Sequence, residues 1–213
     1  MERQPFTSWP WRIYRPCGRL PRAPVFVGEP DDRGAVPLLW LNNVRPMSVL
    51  WPLTIPGKPQ YIAETAESNR LLVPSHTYVL LRRFTAKEER RRLTAAVVSP
   101  RSFPGTKLGL ENHLNYIYRR HGHLSPQEAL GLAILLSSSL VDRYFRISNG
   151  NTQVNATELR RLPLPPVNAL QVLGAQPQPG LITQTEIDEH VADVLRVPQE
   201  LRRRLHELNN GQA

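Results

Sequence analysis

Over roughly the first 70 residues the hydrophobic positions come in short pieces punctuated by proline: Trp9-Pro10-Trp11, Ala23-Pro24-Val25-Phe26-Val27, Pro37-Leu38-Leu39-Trp40-Leu41 and Trp51-Pro52-Leu53. Proline donates no backbone hydrogen bond and stops long helices, so these pieces predict short strands and loops. A clearer strand runs from Thr77 to Phe84, apolar through Tyr78-Val79-Leu80-Leu81 and charged at its end by Arg82-Arg83. Thr85-Ala86-Lys87-Glu88 has the spacing of a capping box and predicts a short helix or turn through Leu93. Thr94 to Ser99 returns to strand composition, so the segment reads as strand, basic turn, strand. From Leu110 to Tyr118 the apolar positions Leu110, Leu114, Tyr116 and Tyr118 alternate, as in a half-buried strand. Glu111, His113 and Asn115 then share the opposite face, and Asn112 turns inward, where it needs a polar network.

The pattern changes period at Ser125. Ser125-Pro126-Gln127-Glu128 supplies a cap, a proline at the first helical position and a carboxylate three residues after the cap. Leu130, Ile134, Leu135, Ser138, Val141 and Phe145 follow at helical spacing, which predicts one helix over about 125–146, buried on much of its circumference. Ser137-Ser138-Ser139 allows another element to approach closely, and Arg143 and Arg146 sit where the exposed carbonyls of a helix end favour cations. Asn155-Ala156-Thr157-Glu158 repeats the capping signature for a short segment, which Leu162-Pro163-Leu164-Pro165-Pro166 stops. A polar, proline-containing linker to about Gly180 leads to two terminal helices, one opened by Thr183 and one from Gln199 to Leu208. The fold class is therefore α+β: a mixed, short-stranded sheet region with a buried helix and a C-terminal helical appendage. The organisation is residues 1–166, a linker over 167–180, and a helical segment over 181–213.

Length bounds this picture, since 213 residues form one substantial core with at most a small addition. Cys17 is the only cysteine, which excludes an intramolecular disulfide. Neither a signal-peptide pattern nor an apolar run of membrane-spanning length occurs, so a cytoplasmic protein that makes no membrane contact is expected. The formal charge of +9, from 27 Lys and Arg against 18 Asp and Glu, requires a cationic surface. Such a surface suits phosphate backbones, acidic membranes or an acidic protein, and carries no sequence information.

Candidate catalytic chemistry is sparse. His121 and His123 lack cysteine or acidic companions at a metal-ligand spacing. No serine sits in a nucleophile elbow, Cys17 has no placed histidine, and neither a P-loop nor a dinucleotide fingerprint occurs. The adjacent acidic pairs Asp31-Asp32 and Glu88-Glu89 read as solvated charge. Groups suited to contacts are plentiful. Arg82, Arg83, Lys87, Arg90, Arg91 and Arg92 crowd one turn, which suits either a solvated corner or a phosphate contact. Asn149-Gly150-Asn151-Thr152-Gln153-Val154-Asn155 is amide-rich; such residues build turns and caps, and their planar donor–acceptor groups also pair with the edge of adenine. The tryptophans Trp9, Trp11, Trp40 and Trp51 suit core or interface packing, with base stacking or a shape-reading wedge as the other use.

Taken together, Tyr78 to Phe84, Lys87 to Arg92, Glu111-Asn112-His113-Leu114-Asn115-Tyr116-Ile117, Leu140-Val141-Asp142-Arg143-Tyr144-Phe145-Arg146 and Gly150 to Asn155 carry a resemblance. In this order, over about residues 35–166, they resemble the C-terminal specificity region of adenine-N6 DNA methyltransferases of bacterial restriction-modification systems, the Eco57I-like and TaqI-like group. The resemblance implies a target-recognition region for double-stranded DNA that helps hold a flipped adenine for a catalytic domain. In that group the catalytic domain carries an S-adenosylmethionine loop and an Asn/Asp/Ser-Pro-Pro-Tyr/Phe motif. This chain departs from it: Pro165-Pro166 is flanked by Leu164 and Val167, and the glycine-rich cofactor loop is missing. The chain therefore reads as the specificity half of a split enzyme or a piece of a longer one, inactive alone and holding no cofactor. S-adenosylmethionine is expected in a methyltransferase catalytic subunit or an N-terminal domain that partners it. Arg82, Arg83, Lys87, Arg90 and Arg91 are then expected at phosphates. Asn112, His113, Asn115, Asn151, Gln153 and Asn155 are expected at base edges or in the polar network that shapes the loops. The alternative is a protein-interaction module that docks a methyltransferase or restriction subunit through Trp-rich and C-terminal surfaces.

Overall fold

A computed structural model describes residues 10–14, 26–27, 34–85, 89, 91–148, 153–175 and 183–210. Its organising element is an antiparallel sheet of β1 (Trp11–Tyr14), β11 (Leu114–Arg119), β8 (Tyr78–Arg82) and β9 (Ala95–Val98), in that spatial order. Side chains alternate strictly between its faces. Ile13, Val79, Leu81, Ala95 and Ile117 join a core beneath the helices, whereas Tyr78, Leu80, Ala96, Val98 and Leu114 join a second core on the other side. Both faces are covered, which is why Tyr78-Val79-Leu80-Leu81 is apolar without alternation: each face of a doubly buried strand leaves water.

The second layer is a sheet ordered β2 (Phe26–Val27), β6 (Tyr61–Ala63), β3 (Ala35–Leu39), β10 (Lys107–Leu110), β7 (Leu72–Pro74), antiparallel except for the parallel pair β3–β10. Leu39, Leu108 and Leu110 fill the core it shares with the first sheet. A small hairpin, β4 (Val44–Arg45) and β5 (Ser48–Val49), is fastened to β9 by the Met47 amide, which donates to the Ala95 carbonyl at 2.9 Å. Trp11 and Trp40 are buried, and the indoles of Trp40 and Trp51 donate to the Pro59 and Gln60 carbonyls at 2.7 and 3.0 Å. Trp11, Trp40 and Trp51 thus pack within the fold, Trp51 with part of its surface exposed; Trp9 lies outside the described residues.

The mixed α+β class is as read from the sequence, with three corrections. The strand expected over 110–118 is two strands in two different sheets, β10 and β11, joined by a turn at Glu111–His113. The helix expected over 125–146 is two helices, α1 (Pro126–Leu136) and α2 (Ser139–Ser148). The Ser125 cap forms as expected, with the Ser125 hydroxyl accepting from the Glu128 amide and the Glu128 carboxylate accepting from the Ser125 amide. The break falls on the three serines, whose hydroxyls compete with the helix ladder. Ser138 Oγ donates to the Leu135 carbonyl at 2.7 Å, and the Ser139 amide and hydroxyl donate to Asp188. Third, part of the expected linker is α4 (Val167–Leu173), which packs against α1 so closely that a Cβ at Gly131 would overlap the Leu170 carbonyl. The short α3 (Ala156–Leu159) and the terminal helices α5 (Gln184–Val194) and α6 (Gln199–Asn210) form where their caps and patterns place them. No helix among the described residues is long and apolar enough to cross a membrane.

Candidate nucleic-acid interface

The end of β8 and the starts of β9 and β11 lie together at one end of the first sheet, because Leu114 is paired with Arg82 and Leu81 with Ala95. The pairing continues past the strands. The Arg83 amide donates to the His113 carbonyl at 2.8 Å, the Val154 amide donates to the Arg83 carbonyl at 2.7 Å, and Phe84 forms an isolated antiparallel bridge with Gln153. Segments far apart in sequence are therefore joined by the backbone at Val154 and Arg83, and residues 70 apart, Arg83 and Gln153, by a side-chain hydrogen bond.

Five side chains meet there. Arg83 donates through one guanidinium nitrogen to the Asn112 carbonyl at 3.3 Å and through another to Gln153 Oε1 at 3.0 Å. Its guanidinium carbon lies 5.1 Å from the centre of the Phe84 ring, within cation–π range. His113 packs edge-on against the same ring, with centroids 4.8 Å apart. The imidazole also faces Glu111, whose Oε1 lies 2.6 Å from Nδ1 and whose Oε2 accepts from the His113 amide at 3.0 Å. Glu111 is 1% exposed and His113 45%, so a buried carboxylate fixes the orientation of a half-exposed ring.

Other candidates serve the scaffold. Asn115, assigned by alternation to an outer face, is fully buried on the helix side of the sheet, and its Nδ2 donates to the Val154 carbonyl at 2.7 Å. The alternation was right but that face is covered, so Asn115 belongs to the network that shapes the loop and is out of reach of a base. Asn155 caps α3, its amide donating to Glu158 Oε2 at 3.3 Å. Arg91 donates to the Ser137 carbonyl at 2.9 Å and to Ser139 Oγ at 2.8 Å, which ties the basic turn to the break between α1 and α2. Arg82 lies 3.4 Å from Glu89. Lys87, Arg90 and Asn151 lie outside the described residues.

The basic turn has a further anchor that sequence reasoning missed. Asp142 on α2 is 4% exposed; its Oδ1 accepts from the Arg92 and Leu93 amides at 2.7 and 2.8 Å, and its Oδ2 from Arg146 Nε at 2.8 Å. Arg146 also donates to the Glu89 carbonyl at 2.9 Å, and the buried Arg92 to the Thr85 carbonyl at 2.9 Å. Arg146 is thus drawn into this network by Asp142, one turn earlier on the same helix. Glu111 and Phe84 were also missed as site residues. The i, i+2 spacing of Glu111 and His113 was visible, but nothing in the sequence said that the carboxylate would be buried. Phe84 stood at the charged end of a strand without any mark of its partners. Among the described residues, no group of three or more His, Cys, Asp or Glu gathers as a metal site.

Chemically, the cluster offers hydrogen-bonding groups of fixed orientation beside an aromatic ring, on a sheet end that two cores keep rigid. No family model matches the chain. Over 163 residues it is 39% identical to the type II methyltransferase M.PstI of Providencia stuartii, a match covering 76% of this chain and 32% of that protein. Over 169 residues it is 37% identical to the type II methyltransferase M.BsuBI of Bacillus subtilis, covering 78% of this chain and 34% of that protein. The chain therefore spans about a third of the length of these curated relatives, and it is homologous to one part of type II methyltransferases.

Proposed function

We propose that this chain is the DNA target-recognition part of an adenine-N6 methyltransferase of a restriction-modification system, with methyl transfer performed by a separate S-adenosylmethionine-binding part. The observation that carries the reading is the gathering of Arg83, Phe84, Asn112, His113 and Gln153 at one sheet end, within the kind of chain that matches a third of two type II methyltransferases. Base readout requires donors and acceptors held in register against a groove, and rigid strands hold them better than free loops do. Duplex DNA is the partner, and the methylating part is either another polypeptide or a further domain.

The test is binding of the purified chain to duplexes at two salt concentrations with competitor sequences. Phosphate contacts alone give binding that falls with salt and ignores sequence, whereas base contacts leave a preference at both concentrations. A reproducible preference supports the reading, and its absence from this chain overturns it. In parallel, the chain incubated alone with S-adenosylmethionine and duplexes of many sequences is expected to yield no methyladenine. Robust transfer without another polypeptide would refute the proposed division of labour.

A second reading has its own observation. Ile147 and Tyr144 on α2 are 89% and 47% exposed, and Leu208 on α6 is 53% exposed, so apolar side chains face outward on neighbouring helices whose contact is marked by Arg143 donating to the Leu208 carbonyl at 2.7 Å. This is a surface on which a methyltransferase or restriction subunit would dock. It is compatible with DNA recognition at the sheet end, and it becomes the whole function only if the chain shows no sequence preference.

A further inference from the structure

Resting on the recognition reading above for its partner, we propose that Arg12, Tyr14, Tyr118 and Arg120 form a clamp for the phosphodiester backbone of duplex DNA. Its place follows from how the two sheets overlap. β1 is an edge strand with unlike faces: Trp11 and Ile13 are buried beneath the helices, whereas on the other side Arg12 is half-buried and Tyr14 is 43% exposed. On that other side the second sheet buries Ala96 and Val98 of β9, Leu80 of β8 and Leu114 of β11, and it stops short of β1. The uncovered strip therefore joins β1 to the far part of β11, through the register pairs Tyr14–Tyr116 and Arg12–Tyr118. Its rings are packed and held. The Tyr14 ring lies 6.3 Å from that of Tyr116 and 5.5 Å from that of Tyr118, and Tyr116 stands edge-on against the buried Tyr78 at 5.6 Å.

The chemistry of the strip is that of donors. The hydroxyls of Tyr14 and Tyr118 are hydrogen-bonded to each other, which uses one proton between them and leaves the other to donate outward. Burial, with Tyr14 beside it, pushes the Tyr118 hydroxyl above the ordinary tyrosine range, so it keeps its proton at neutral pH. The positive charges of Arg12 and Arg120 act on that same hydroxyl. Arg120 lies two residues beyond Tyr118, its amide donating to the Pro10 carbonyl at 3.3 Å, while Arg119 between them is bonded to Glu128 of α1. Two guanidiniums and a hydroxyl proton suit a phosphate, which only accepts. A strand added to the edge is a poorer occupant, because the Arg160 guanidinium already takes the Ile13 carbonyl at 2.6 Å. Spacing points to the duplex read at the sheet end. Leu114, paired with Arg82 at that end, is four residues from Tyr118 along β11, about 13 Å, and the major groove is about 12 Å wide. A duplex with its groove against the Arg83 cluster brings one backbone to the clamp, which supplies the phosphate contacts that Arg91 and Arg92, bonded within the scaffold, do not.

The experiment measures duplex binding by the full chain over a range of salt concentrations, with competitor sequences, for wild type, Arg12→Gln, Arg120→Gln, the double arginine variant and the double variant Tyr14→Phe with Tyr118→Phe. Arg204→Gln on α6 controls for the loss of one charge elsewhere, and thermal melts verify folding. Each clamp arginine is expected to flatten the log–log salt slope by about 0.9 and the pair by about 1.8, weakening all sequences alike and leaving any preference unchanged. The phenylalanine pair keeps the rings and the charges and is expected to weaken binding by about 2- to 10-fold at an unchanged slope, as loss of a neutral hydrogen bond does. Slopes that stay as in wild type, or that change no more than in Arg204→Gln, overturn the clamp and leave the recognition reading standing. Inorganic phosphate that displaces DNA better than chloride at matched ionic strength, through these arginines, assigns the site to free phosphate and overturns the duplex backbone as its ligand. Wild type that binds duplexes without preference overturns the recognition reading while the slopes still decide the clamp, and wild type that binds no duplex overturns both.

Discussion

Replacing Asp142 tests whether α2 holds the basic turn in place. Its carboxylate takes two backbone amides, those of Arg92 and Leu93, and the Arg146 guanidinium at 2.7–2.8 Å in a site 4% exposed. Asp142→Ala leaves both amides buried without their acceptor. An orphaned buried donor costs about 1–3 kcal/mol, so the pair costs about 2–6 kcal/mol. Arg146 adds less, because its side chain is 29% exposed and can turn to water. Against a domain stability of roughly 5–15 kcal/mol, this is a large share. Asp142→Asn keeps Oδ1 for both amides but sets an NH2 group against Arg146, so only the partly solvent-screened bond to Arg146 is lost, about 1 kcal/mol. Urea unfolding followed by far-ultraviolet circular dichroism and by tryptophan fluorescence measures both variants, with coincident transitions verifying two-state behaviour and an unchanged slope verifying the unfolded reference. Asp142→Ala within about 0.5 kcal/mol of wild type would refute the account, since surface substitutions change stability by that much. Equal damage by Asn and Ala would also refute it, because the two amides would then not be what the carboxylate serves.

Two further outcomes follow from packing and charge. Gly131→Ala adds a residue of better helix propensity, a gain of about 1 kcal/mol on an isolated helix, yet the new Cβ meets the Leu170 carbonyl, which is backbone and cannot swing aside. The net effect is expected to be destabilising by about 1–3 kcal/mol in urea unfolding, and a stabilised variant would mean that α1 and α4 are not in this contact. At Glu128, burial pushes the carboxyl up, but the Ser125 amide and hydroxyl and the Arg119 guanidinium outweigh it and hold the group below the usual carboxylate range. A depressed folded value gives stability that is complete above the ordinary carboxylate range and is lost as pH falls through the folded value. Glu128→Gln is therefore expected to be less stable than wild type at pH near 7, by a gap that narrows on acidification; a gap independent of pH would refute the assignment.

The sequence revealed elements whose signals are local. Ser125-Pro126-Gln127-Glu128 and Thr183-Gln184-Thr185-Glu186 start helices where they should, because a capping box needs only four residues to satisfy itself. What it concealed depends on distant partners. The break at Ser137–Ser138 is stabilised by Asp188, Gln184 and Arg91, none adjacent in the chain. The helix α4 is too short to stand alone, and it exists against α1, where Leu170 and Leu173 are fully buried. At the site, the chemistry of Asn115 and of Gln153 reads alike from sequence. One is fully buried in the scaffold and the other lies beside a half-exposed cluster, because alternation reveals which residues share a face and not which face another layer covers.

The same dependence on partners changes what the net charge of +9 means. The crowded arginines around 82–92 look like an electrostatic footprint, yet Arg91 holds the serines, Arg92 is buried on Thr85, Arg83 orients Gln153 and Arg82 faces Glu89. Their guanidiniums serve two ends at once: they satisfy carbonyls that the helix break and the irregular turn leave open, and they fix the groups at the sheet end. If the chain reads DNA as proposed, such a design favours discrimination over grip. Each phosphate neutralised steepens the salt dependence by about 0.9 in log–log slope, whereas an oriented amide adds discrimination at one base and almost no slope. On the proposed reading, the cost of placing arginines in the scaffold is nonspecific affinity, and what is gained is an amide held in one orientation. The remaining two thirds of a protein the length of its relatives would then supply much of the phosphate binding, while this part decides where on the duplex that binding counts.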